Sequence, residues 1–276
     1  MEITVGIFLL LLCFAFICEF IDSSLGMGYG TILTPLLILI GFEPTVAVPG
    51  VLLSQAFGGL AASIFHNQFE NVSFKRDSKD LKIFFVISGF GILATIFAAV
   101  VSINIPKLVL TTYIGTLVFL MGFFVFWKHG FSFSWRKIIG IGLVSAFNKG
   151  LTGGGFGPVV TGGQILSGQD HKAAVGVTTF AQAPICICGF FTYLIGRTVN
   201  ELPGKVLELP MAEFLKFMFS PRMFQWELIL ALLLGSLLVT PFGAFTTRSL
   251  NLEKVRNAVG GLMIILGGWI LVRTWL

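Results

Sequence analysis

Long apolar stretches alternate with short polar ones along this chain, on a scale that fits helices in lipid. Residues 83–106, 108–127, 173–196 and 228–247 each run 20 or more positions without Asp, Glu, Lys or Arg, and about 20 apolar residues in a helix cross a hydrocarbon core of about 30 Å. With the shorter runs included, ten apolar segments emerge at about 3–20, 30–42, 45–66, 83–101, 106–127, 137–149, 156–168, 172–196, 226–247 and 256–275. A barrel would show short segments of alternating hydrophobicity instead, so the pattern predicts an all-α polytopic membrane protein without strands. Segments two and seven are short for a full crossing. The polar connections are 67–82, 128–137, 197–225 and 248–256. In the third, "ELPGKVLELPMAEFLKFMF" predicts a short amphipathic helix at the interface, limited by Pro203 and Pro210. Pro49 and Pro241 are expected to kink their helices.

Composition sharpens this reading. Of the 276 residues, 55% are hydrophobic and 11% charged, whereas a soluble domain has about 25% charged. The first run, Ile3–Ile17, lacks a basic segment before it and is followed by Glu19 and Asp22 where a cleavage site would stand, so it is expected to be a retained span. The net charge of +5 fits basic cytoplasmic loops, and no cluster is dense enough to imply nucleic acid. Cys13, Cys18, Cys186 and Cys188 lie in or at the ends of apolar runs, which points to helix packing before redox or metal chemistry. His66 and His171 adjoin connections and His129 lies in one, so solvated side chains are expected, not ligands. No HExxH motif is present and Ser54 has no evident His partner, so neither an enzyme, nor a metal site, nor a cofactor is expected.

An ungapped shift of 127 residues reveals an internal repeat. Between Phe20–Ala56 and Phe147–Ala183, twelve of 37 positions are identical, among them Gly26/Gly153, Gly28/Gly155, Gly30/Gly157, Thr34/Thr161 and Gln55/Gln182. The chain divides into an N-terminal repeat, 1–127, a connection, 128–136, and a C-terminal repeat, 137–276. Each has five segments with the short one second. If the short segments cross, each half has an odd number of spans and the halves insert in opposite orientation, as in many secondary transporters. With the N-terminus outside, the cytoplasmic loops then carry eleven Lys and Arg against six outside. If the short segments are re-entrant, the count is twelve against five with both termini inside. Charge bias therefore leaves both open; the inverted form is preferred because repeat-built transporters commonly have it.

The candidate chemistry lies at two equivalent breaks, "SSLGMGYGTILTP" and "LTGGGFGPVVTGG". A glycine in a helix interior costs about 1 kcal/mol relative to alanine, so clusters at membrane depth mark broken helix or close helix contact. Pro158 suits the first turn of a new helix. A helix that begins inside the membrane presents free amide N–H groups and the positive end of its dipole, which favours an anion. Gly28 and Gly30 in one half and Gly154, Gly155 and Gly157 in the other are candidates to hold that anion, with Thr34, Thr161 and Gln164 beside them. Simple packing is the competing reading. The glycines lack the spacing of a nucleotide-binding loop. Lys149 either reaches the interface or partners the anion, with Asn148 as a neutral donor beside it. Gln55 and Gln182 either donate to an oxyanion or bond helix to helix. Glu19 and Asp22, near the end of segment one, either face water or titrate in coupling to a proton or sodium.

"GMGYGTILTPLLILIGFEPTVAV" and "GLTGGGFGPVVTGGQILSGQDHKAAVGVTT", each a glycine cluster followed by a short helix, a loop and Ala-Val, resemble the TSUP or TauE/SafE family of sulfite exporters and organosulfonate transporters. Length, segment order and duplication extend the resemblance over the whole chain. It implies transport of a small anion across the plasma membrane, coupled to an ion gradient, with the lipid bilayer as surroundings. The sequence leaves open a passive anion channel, a carrier of a non-sulfur organic anion and a non-conducting accessory subunit, and is silent on oligomeric state.

Overall fold

A computed structural model describes residues 3–127, 132–202, 209–220, 223, 225–249 and 253–276. Every element among the described residues is helical: α1 Val5–Leu25, α2 Tyr29–Leu39, α3 Pro44–Gln68, α4 Lys79–Asn104, α5 Lys107–Val125, α6 Trp135–Thr152, α7 Phe156–Leu166, α8 His171–Glu201, α9 Met211–Met218, α10 Trp226–Ser249 and α11 Glu253–Trp275. The ten apolar segments correspond to α1–α8, α10 and α11, and α9 is the amphipathic helix of the long connection. Pro203 and His129 lie outside the described residues. Pro49 and Pro241 sit inside α3 and α10, each assigned as one continuous helix. Local chemistry sets several starts: Ser78 accepts from the Leu81 N–H at the head of α4, and Asp170 accepts from the N–H groups of Lys172 and Ala173 at the head of α8.

Seven helices among the described residues are long and apolar enough to span a membrane: α1, α3, α4, α5, α8, α10 and α11. Their surfaces are turned inside out relative to a soluble protein. Leu9, Phe85, Phe97, Leu120, Phe242, Ile265 and Trp269 are exposed, while Glu19, Asp22, Gln55, Lys149 and Gln182 are buried. A large exposed apolar surface over a polar interior is the arrangement that lipid favours, and the chain is a multi-pass membrane protein.

Helix contacts define two ends. At the first, Lys107 pairs with Glu43 at 2.5 Å, Arg197 donates to the Thr45 carbonyl at 3.0 Å, and Arg273 donates to the Leu39 carbonyl. At the second, Gln169 donates to Asp80 at 3.1 Å and the Lys79 ammonium stands 4.1 Å from the centre of the Phe133 ring. Along α3 and α8, Thr45 meets Arg197, Leu52 meets Gly189, Gln55 meets Gln182 and Gly59 meets Thr179, so these two repeat-related helices run antiparallel. The α5–α11 pair is also antiparallel, with Thr112 by Trp275, Gly115 by Gly267 and Gly122 by Gly260. The fourth apolar segment of each half packs on the other half: α4 against α6 and α8, α10 against α1 and α3. α1 follows α10 toward the second end, and α2 turns back to finish beside Arg273 at the first.

These contacts are close because glycines stand where helices meet, the means by which membrane helices gain packing without a hydrophobic driving force between them. A Cβ on Gly267 would lie 2.7 Å from the Gly115 carbonyl oxygen, and one on Gly122 2.7 Å from that of Gly260. Gly140 faces open space. Gly267→Val and Gly122→Val should each destabilise the protein by about 1–3 kcal/mol through backbone collision. A thermal melt in detergent should show both, while Gly140→Val leaves the melting temperature near that of the parent.

Candidate functional site

Both breaks are built alike. α1 ends on Gly26 (φ 69°) and α6 on Gly153 (φ 74°), left-handed conformations that glycine adopts without strain. Their amides return to the Asp22 and Lys149 carbonyls at 2.6 and 2.8 Å, so Asp22 and Lys149 each sit one turn before a break. Gly28 and Gly155 stand as N-caps of α2 and α7, both at positive φ. The two breaks then pass each other antiparallel, Gly30 against the Gly153 carbonyl and Gly157 against Gly26 and Met27. A Cβ on Gly154 would come within 2.9 Å of the Gly30 carbonyl oxygen. Hydroxyls tie the crossing: Thr31 Oγ1 accepts from the Gly155 N–H at 3.0 Å, and Thr161 Oγ1 donates to the Gly26 carbonyl at 2.8 Å. Thr34 is placed against Gly153 in the same way, but its hydroxyl is buried without a hydrogen-bond partner.

Beside this crossing lies a buried polar quartet. Lys149 Nζ donates to Gln55 Oε1, and to Gln182 Oε1 at 3.4 Å. Gln55 Nε2 donates to Asp22 Oδ2 at 3.0 Å, and Gln182 Nε2 to the same oxygen at 3.2 Å. Gln55 Nε2 also reaches Gln182 Oε1 at 2.5 Å. Two amides thus stand between an ammonium and a carboxylate, oxygens toward the donor-only lysine and nitrogens toward the acceptor carboxylate, the orientation that this pairing demands. Asp22 accepts a third bond at 3.3 Å from the backbone N–H of Tyr29, the first residue of α2. The start of α2 therefore already holds an anion, and that anion is the chain's own. All four side chains are 2% exposed or less. Asp22 and Lys149 occupy equivalent positions of the repeat, as do Gln55 and Gln182, so the quartet consists of two repeat-related pairs.

The structure departs from several sequence-based expectations. Lys149 is among the largest fully buried side chains and does not reach an interface. Glu19 and Asp22 face the interior, not water; both Glu19 oxygens are buried and lack hydrogen-bond partners. His66 is not solvated: it is 0% exposed, its Nε2 contacts the Ser23 carbonyl at 2.9 Å and its Nδ1 accepts from Asn71 at 3.0 Å. The cause is the fold of α1, whose last turn is brought against the end of α3. His171 is half-buried beside a small cleft with Arg256. Asn148 points away from the quartet and accepts from Tyr113 at 2.6 Å, and Gln164 lies along α7, donating to Thr178 at 3.0 Å.

Sequence reasoning passed over Tyr29, whose amide binds Asp22 and whose hydroxyl meets Ser54 at 2.7 Å, together with Thr31 and Tyr193. The repeat offset held a signal for one of them. Tyr193 is the counterpart of His66 and donates to the Gly150 carbonyl at 3.0 Å, the counterpart of Ser23. Open clefts lie at both ends, one of about 420 Å³ between Phe42, Lys107 and Arg273, one of about 640 Å³ between Asn71, Lys75 and Asp80. The quartet lines neither of them.

Broken helices that cross at the centre of a duplicated, multi-pass helical protein, around buried charges, define the architecture of a membrane transporter. The model of the sulfite exporter TauE/SafE family matches residues 10–270, and the chain belongs to that family. Over 284 aligned residues it is 27% identical to a probable membrane transporter protein, YtnM, of Bacillus subtilis (strain 168), covering 96% of this chain and 84% of that one. No solved structure matches it.

Removal of the ammonium alone leaves a buried carboxylate short of its counter-charge, a change that destabilises proteins by about 3–5 kcal/mol. Lys149→Met should lower the detergent melting temperature accordingly, and adding Asp22→Asn to it should restore most of the loss. Additive losses in this double-mutant cycle would mean that the two charges do not sense one another.

Proposed function

We propose that this protein is a secondary transporter of a small sulfur-containing anion, such as sulfite or a sulfonate, across the plasma membrane. The observation that carries the reading is the carboxylate of Asp22 on the α2 N–H and two glutamine amides. A sulfonate or sulfite presents the same kind of anionic oxygens, and hydrogen bonds from charged and amide donors suit them. The incoming anion competes with Asp22 for Lys149, Gln55, Gln182 and the Tyr29 amide. Gly28, Gly30, Gly154, Gly155 and Gly157 let backbone N–H groups approach it, and Thr34 and Thr161 lie at the margins, Thr34 with an unused hydroxyl. Asn148 and Gln164 support the site from α6 and α7. Glu19 and Asp22 take part in coupling.

The halves are inverted repeats in this proposal. The antiparallel register of α3 against α8 supports the inversion, and in the inverted form the positive-inside bias favours the cytoplasm for the second end. Burial of the quartet away from both clefts favours alternating exposure over a passive channel, in which a continuous path would be needed.

A ligand held by the folded state at about 100 times its dissociation constant stabilises that state by about 2.7 kcal/mol. In a thermal-shift screen of the purified protein against sulfite, thiosulfate, sulfoacetate, taurine and simple carboxylates, one or more of the sulfur oxyanions should raise the melting temperature. Stabilisation by carboxylates alone would sink the sulfur reading.

A further inference from the structure

We propose that Glu19 is a proton-binding site whose occupancy is linked to the anion, so that proton and anion bind together. The inference rests on the transport reading above and adds the identity of the coupling ion, its seat and the sign of the coupling.

Three observations support it. First, the two carboxylates on α1 differ in their surroundings. Asp22 accepts three N–H hydrogen bonds, which engage both of its oxygens. Glu19, one turn earlier, is 0% exposed with neither oxygen partnered. A buried polar group without a partner is a large and rare penalty that native structures retain for a reason. Second, space has been left for it. Glu19 lies against Gly58 of α3, where a Cβ would stand 3.1 Å from the carboxyl carbon. Third, the charges do not balance without a proton. Lys149 is the one buried Lys or Arg among the described residues, set against Glu19 and Asp22. With both carboxylates ionised the site carries one excess negative charge, and an entering anion would add another at low dielectric. A proton taken up by Glu19 as the anion enters offsets the charge that the anion adds.

The groups that bear on Glu19 are Cys18 and Asp22 on α1, Tyr29 on α2, Lys149 on α6 and Cys186 on α8. On α3, His66 engages the Ser23 carbonyl a turn further along α1. Of these, Lys149 and Asp22 are spanned by the glutamines, so Glu19 is the acidic group without a partner. No bond is made or broken beyond the O–H: a proton released by a buffer acid in solution joins a Glu19 oxygen as the anion enters, and returns to solution when the anion leaves. Because linkage is reciprocal, lower pH tightens the anion by the same factor by which the anion favours the proton.

The test counts protons by isothermal titration calorimetry of the purified protein, in buffers that differ in ionisation enthalpy. Thiosulfate and methanesulfonate serve as probes, since these anions of strong acids exchange no proton near neutral pH. The expected result is uptake of about one proton per anion bound, with affinity falling as pH rises, and loss of that uptake in Glu19→Gln while binding persists. Persistent uptake in Glu19→Gln, or its loss in Asp22→Asn alone, overturns the assignment to Glu19. Binding that requires sodium and takes up no proton overturns it equally, as does loss of binding in Glu19→Gln at an unchanged melting temperature. Absence of binding by both anions to the parent protein, with no sulfur oxyanion raising its melting temperature either, removes the transport reading, and this inference with it.

Discussion

An ammonium and a carboxylate held apart by two glutamines at the centre of a membrane protein constrain everything around them. Lys149 and Asp22 lie in a low-dielectric interior, where each needs its full set of hydrogen bonds as well as an opposite charge. Neither amide can turn over without presenting its nitrogen to the lysine and its oxygen to the aspartate. The α2 amide supplies the remaining donor to Asp22 only because α1 stops at Gly26 and the chain reverses within three residues. The helix break, the glycines that permit it and the orientation of both glutamines are parts of a single electrostatic solution.

Duplication explains how such a centre arises. Equivalent positions of the repeat come together here: residues 22 and 149 are bridged by residues 55 and 182, which touch one another. Identity at the second pair provides two bridging amides. Divergence at the first, to Asp in one half and Lys in the other, turns what would be like-charge repulsion into mutual support. Equivalent contacts recur in the two halves: His66 lies over the last turn of α1 and Tyr193 over that of α6, and Thr247 and Ser102 donate to the carbonyls of Ser24 and Leu151. Because each half lends its fourth apolar segment to the other, the halves of the sequence are not separate bodies in space.

Much of this architecture could be read from the chain. Helix number and approximate bounds followed from charge-free runs, because lipid tolerates few unpaired charges and demands about 20 residues per crossing. The duplication and the two breaks followed from glycine spacing, because left-handed caps and backbone contacts exclude other side chains. Gln55, Gln182, Asp22 and Lys149 drew notice as polar residues in apolar company. His66 misled, since proximity to a polar connection in sequence says nothing of depth once α3 continues to Gln68 and α1 packs upon it.

By itself, then, the sequence determined the number of helices, the repeat and the location of the breaks. All are local consequences of hydrophobicity, backbone freedom and periodicity. Which polar side chains meet was decided only by the tertiary structure. Hydrogen bonds and charge pairing depend on distances of about 3 Å between residues far apart in the chain, such as Gln55 and Gln182. Those distances arise from the antiparallel register of α3 on α8 and the crossing of two breaks, which no local pattern encodes. The partners of Asp22 and the isolation of Glu19 belong to that second kind of knowledge.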